Sequence, residues 1–190
     1  LSFSGELGYE LAVPARYGEG LAGVLVQVGA DLGVLPYGTE ALSMLRIEKG
    51  HPAGGELNGQ TTARDLGLGR LQSKKKDFIG RALSQRPALI EATRPVLVGL
   101  RPVDPNALLS AGAHLLEEGA KVSLETDRGY VTSSCISPVS GGAIGLGLLA
   151  DGDAMIGRKV VAHDPVRGRK TPVEVVSPVF YDSGGERQRA

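Results

Sequence analysis

Between Pro95 and Tyr181 the sequence is cut into short β-prone runs by turn residues at near-regular intervals. This punctuation limits the fold more than any other feature of the chain. Candidate strands fall at 96–100, 113–117, 121–124, 129–137, 143–149, 159–163 and 172–181. Most are separated by strong turn signals: Asp104-Pro105-Asn106, Glu118-Gly119, Asp127-Arg128-Gly129, Ser140-Gly141-Gly142 and Asp151-Gly152-Asp153. Short strands at this spacing predict a small antiparallel barrel or sandwich of about a hundred residues.

The first half reads differently. After Pro14, the residues Leu21, Val24, Leu25 and Val28 recur at helical spacing and predict a helix to about residue 30 with one apolar stripe. A second helix is predicted from Thr39, as N-cap, to about Lys49, where Gly50 stops it. Residues 61–65 read as a helical turn, 66–71 as extended and 77–83 as a short helix. Composition shifts near Gln85-Arg86-Pro87, so the expected division is 1–90 and 91–190. The predicted class is α+β, with one or two strands and several helices in the first half, and a frayed tail over 183–190.

The opening run Gly5-Glu6-Leu7-Gly8-Tyr9-Glu10 has two glycines three apart, flanked by aromatic and aliphatic residues. It reads as a hairpin turning at Glu6-Leu7. In one continuous strand Phe3 and Glu10 would face opposite sides; a turn between them could aim both at one pocket. A carboxylate beside an aromatic ring suits a flat heterocycle with adjacent N–H donors. Spacing alone leaves a second reading open, a hairpin with a solvated glutamate.

Other features exclude chemistry. Lys plus Arg equals Asp plus Glu at 21 each, so nothing argues for nucleic acid or a membrane surface. Lys74-Lys75-Lys76 reads as a solvated loop. A single cysteine, Cys135, forbids an intrachain disulfide and fits a cytoplasmic setting. His51, His114 and His163 are far apart and define no metal site. Cys135, among serines with no base in view, reads as a packed thiol. The run 141–147 lacks the order of a nucleotide-binding loop and reads as a turn and a closely packed strand. No apolar run is long enough to span a bilayer. The chain opens without Met inside a predicted strand, which points to a piece of a longer protein; processing or tag removal also accounts for the missing Met.

Several runs together resemble the folate-binding fold of the glycine-cleavage T-protein, an aminomethyltransferase. They are Ser4-Gly5-Glu6-Leu7-Gly8-Tyr9-Glu10, Leu45-Arg46-Ile47-Glu48-Lys49-Gly50, Thr61-Thr62, Lys76-Asp77-Phe78-Ile79-Gly80, Gly129-Tyr130-Val131-Thr132-Ser133 and Pro178-Val179-Phe180-Tyr181-Asp182. The wording of 36–42 and 46–51 is most similar to the α subunits of heterotetrameric sarcosine oxidases. Leu42 stands where aminomethyltransferases carry an arginine, which puts that arginine's folate contact in question and favours the sarcosine-oxidase branch.

The resemblance implies a partial T-protein-like folate-binding domain followed by the barrel. It places the family's pterin-binding glutamate on Glu10, its aromatic on Phe3 and its late tyrosine on Tyr181. It implies tetrahydrofolate as cofactor and sarcosine oxidation as the activity of the whole protein. It also implies other sarcosine oxidase subunits as partners. The catalytic aspartate, FAD, FMN and NAD belong to the rest of that complex. The chain alone is therefore expected to be inactive as an oxidase and prone to self-association through a cut surface. A stand-alone aminomethyltransferase-like enzyme and a non-catalytic scaffold with a dead folate pocket are the alternatives.

Overall fold

In the computed structural model, which describes residues 2–189, six strands close into an antiparallel barrel. They are β1 (Pro95–Pro102), β2 (His114–Glu117), β3 (Asp127–Ser137), β4 (Gly142–Ala150), β5 (Lys159–Asp164) and β6 (Arg169–Val176). Their order around the barrel is β1-β4-β3-β2-β5-β6. Alternation sets which face each residue takes. Val98, Leu100, Leu115, Val131, Val160 and Val173 fill the interior. The β4 glycines permit close packing: a Cβ on Gly147 would lie 2.9 Å from Leu100 and 3.0 Å from the Tyr130 carbonyl.

Strand β4 is buried on both faces, because the helical half covers its outside. Helix α1 (Gly18–Gly29) precedes α2 (Thr39–Glu48). From α2, Ile47 joins Leu66, Leu97, Ile144, Leu146 and Leu148 in a second apolar cluster outside the barrel. Short helices α3 (Arg81–Ser84) and α4 (Pro87–Ile90) lead into β1, and α5 (Gly152–Met155) follows β4. The fold is thus α+β, helical first and barrel second.

Several local expectations are corrected. No strand precedes Pro95 among the described residues, so the opening hairpin is absent. There the backbone pairs elsewhere: Leu7 N–H donates to the Arg187 carbonyl at 3.2 Å. Residues 66–71 are turns ending in a 3-10 helix, not extended. Thr62 and Asp65 fold that segment, each side chain accepting the other's backbone N–H. At 121–124 no strand forms, since the Thr126 hydroxyl bonds the Lys121 carbonyl and a Ser123 capping box starts a 3-10 turn. The last strand ends at Val176, and the chain then crosses β1 at Gly99, where a Cβ would lie 2.3 Å from the Ser177 carbonyl. Helix α2 starts at Thr39, the expected cap, with Gly38 one residue earlier as N-cap and no side-chain cap bond. The stripe on α1 is exposed; only Gly29 of that helix is buried.

Candidate functional site

The C-terminal turn of α2 and the residues after it, Arg46 to His51, are where the parts of the chain meet. Arg46 is buried and charged, so it needs partners. It donates to Glu56 Oε2 at 3.1 Å and to Ser133 Oγ at 2.7 Å. Glu56, fully buried, accepts from the Ser133 hydroxyl at 2.6 Å, the Thr132 hydroxyl at 2.5 Å and the Ala53 N–H at 2.9 Å. Consecutive strand residues normally face opposite sides. Here the β3–β4 register shifts between Val131 and Ser133. Such a bulge re-aims side chains, and both hydroxyls reach one carboxylate.

Burial opposes ionisation of Glu56, but the bonds from Ser133, Thr132 and Ala53, with the Arg46 charge, outweigh it and hold the carboxyl below its ordinary range. Every oxygen and charge in this cluster is committed. It therefore fixes geometry and has no group free to move a proton.

The next residues fasten both ends of the chain. Glu48 accepts from the Ser137 hydroxyl at 2.5 Å, and its carbonyl takes the Phe180 and Tyr181 N–H groups at 2.8 and 3.0 Å. Lys49 Nζ donates to the Asp182 carbonyl at 2.6 Å and pairs with its carboxylate at 3.1 Å. Gly50 has φ 71°, and a Cβ there would lie 2.4 Å from the Pro178 carbonyl. Gly5, at φ 92°, lies against the Lys49 stem. Burial holds the His51 imidazole below its ordinary value, against the Phe3 carbonyl, which raises it.

Of the residues the sequence singles out, Phe3 and Tyr181 thus belong to segments docked on residues 48–51. The Phe3 ring is partly exposed and Tyr181 half-buried. Glu10 is exposed and has no hydrogen bond or ion pair among the described residues. None of the three lines the cavities around residues 48–51, 58–65 or 62–90. A cavity of about 720 Å³ lies elsewhere, between the Asp65–Arg94 pair, Asn58, Tyr130 and Leu148. Burial, then the Glu48 charge, pushes the Cys135 thiol up to about 11, so it stays protonated at neutral pH. No group of three or more His, Cys, Asp or Glu among the described residues is placed to hold a metal ion.

Arg46 and Glu56 have no chemical signature in sequence beyond the Arg-Ile-Glu-Lys-Gly run. Their partners Ser133 and Thr132 lie far along the chain.

A helical half docked through α2 onto a six-stranded barrel is the T-protein class of fold. Residues 1–76 match the family model described as the GCVT N-terminal domain, and residues 96–182 match the glycine cleavage T-protein C-terminal barrel domain. The chain is homologous to this aminomethyltransferase-fold family and, within it, to sarcosine oxidase α subunits. It is 48% identical to sarcosine oxidase subunit alpha of Rhizobium meliloti over 98% of this chain, which is 19% of that protein. An aminomethyltransferase of Streptomyces coelicolor is 35% identical over 94% of this chain and 47% of its own length. The crystal structure of the glycine cleavage system aminomethyltransferase T from Bartonella henselae superposes with a TM-score of 0.73. That match has 27% identity and covers 95% of this chain and 48% of that one. The chain thus spans about a fifth to a half of the relatives it matches.

Proposed function

We propose that this chain is the tetrahydrofolate-binding C-terminal part of a sarcosine oxidase α-type subunit in the cytoplasm. The observation that carries the reading is the 48% identity to the Rhizobium meliloti subunit across 98% of the chain. When bound, tetrahydrofolate would supply two amine nitrogens that take up the formaldehyde-level carbon from sarcosine demethylation, with loss of water. This chain's residues bind and orient it. The Glu10 carboxylate, without a partner among the described residues, accepts paired N–H bonds from the pterin; Phe3 stacks on it; Tyr181 stands on the end of the chain docked at residue 48. FAD, FMN and NAD are carried by the rest of the complex, and its other subunits are the partners.

The test is folate titration of the full-length protein. Glu10→Gln keeps size but loses charge and one acceptor. Charge-assisted hydrogen bonds contribute about 1.5–3 kcal/mol, so affinity should fall about tenfold or more. Glu6→Gln, at an exposed position, should change it little, and Phe3→Leu should weaken it. Sarcosine oxidation should survive Glu10→Gln, with formaldehyde released. Equal folate affinity in wild type and Glu10→Gln would remove Glu10 from the site.

A further inference from the structure

Arg64, Arg70 and Lys74 converge on one concave surface. With Thr62, Gln72 and Gln85 they line a cavity of about 340 Å³ that no carboxylate lines. Among the described residues, none of the three cations forms an ion pair. The neighbouring acid, Asp65, is already committed: Arg94 holds its two oxygens at 3.1 and 2.6 Å. The surrounding stretch adds Lys75, Lys76, Arg81 and Arg86, with Asp77 the one further acid between residues 64 and 86. In a chain of zero net charge, this is a strong local excess of one sign.

Cations on a concave wall reinforce one another's potential and concentrate anions. Guanidinium groups present forked donors that match carboxylate and phosphate oxygens two at a time, and the lysine adds a mobile point charge. The volume sits at the lower end of small-ligand sites, which run about 300–1,000 Å³.

We propose that this pocket binds a small ligand bearing two or more oxyanionic groups, carboxylate or phosphate. It uses none of Glu10, Phe3 or Tyr181, so it stands apart from the folate reading. Isothermal titration of the full-length protein with triglutamate and, separately, inorganic tripolyphosphate tests it, at ionic strengths of about 0.01 M and about 0.15 M. At least one anion should bind one-to-one and weaken with salt, and the anion that binds names the source. Arg64→Gln with Arg70→Gln should weaken that binding about tenfold or more. Lys75→Gln with Lys76→Gln, outside the lining, should weaken it far less, and Glu10→Gln should leave it unchanged. Arg70→Lys, which keeps charge and loses the fork, should give an intermediate loss and serves if the double variant does not fold. Three results would overturn the site: neither anion binding at low salt, equal weakening by the two double variants, or release of partner subunits by Arg64→Gln/Arg70→Gln without anion binding by wild type. The last would assign the patch to an acidic protein face.

Discussion

Glu56 decides how the two halves of this chain hold together. It is a buried carboxylate with four donors from three segments, and Arg46 depends on it for neutralisation. Removing one partner of a buried pair leaves the other charge uncompensated and costs about 3–5 kcal/mol. Glu56→Gln should therefore lower stability by about that amount, read as a shift in urea midpoint at constant slope. The pH dependence has a definite sign. The folded carboxyl is held below its unfolded value, so its contribution is complete above the unfolded pKa and is lost as pH falls through the folded one. Stability should decline on acidification below the ordinary glutamate range, and Glu56→Gln should flatten that decline. A wild type and variant with parallel pH profiles would contradict the assignment. None of this was legible in the sequence. The His51–Asn58 loop shows its glycines, while the partners of Glu56 stand in a strand far along the chain, aligned only by a bulge. Phe3 and Tyr181 were singled out by family resemblance alone, and their roles remain part of the folate proposal.

Among the elements, those bounded by clear turn or stop signals were legible. Strand β6 alternates buried with less buried residues from Thr171 to Val176, and turn spacing placed a strand there, though five residues too far at its end. Strand β4, buried on both faces, was legible from its turn boundaries. Segments decided by single side-chain bonds were not: Thr126 and Ser123 bent 121–124, and Thr62 with Asp65 curled 66–71. The opening run failed as a hairpin because its backbone found Arg187 and its Gly5 found Lys49. Helix α2 was legible, but not that it would cap the barrel from outside. Its seal is Ile47, which is 3% exposed and packed with Leu97, Ile144, Leu146 and Leu148. Ile47→Ala removes buried methyl groups and leaves a cavity, a change worth about 2–5 kcal/mol. The barrel's interior residues form a separate apolar cluster, so circular dichroism should keep its β signal while α2 amides lose hydrogen-exchange protection first. Uniform loss of protection over β1 to β6 would show that the helix and barrel do not separate in this way.

The molecule as a whole is unevenly finished. The barrel has an interior core and a covered outer cluster, whereas residues 7–37 expose apolar side chains almost continuously: Tyr9, Leu32 and Leu35 are each more than four-fifths exposed, and Val24, Leu25 and Val28 stand open on α1. A surface helix normally turns such a stripe toward a core. Contiguous apolar patches beyond about a few hundred Å² are rare on monomeric proteins and mark contact surfaces. The 190-residue chain on its own should therefore self-associate in a concentration-dependent way, with the α1 face at the contact. Val24→Lys with Val28→Lys places two charges four residues apart on that stripe. Neither residue is buried, so the fold should tolerate the change. Sedimentation velocity should show the wild-type chain shifting to larger species as concentration rises, and the double variant staying near monomer mass, with thermal unfolding little altered. A wild-type chain that is monodisperse and monomeric over the same range would show that water tolerates this face. If both forms associate equally, the contact lies on another part of the surface, and the basic wall of Arg64 and Arg70 is excluded from it as soon as added salt leaves the association unchanged.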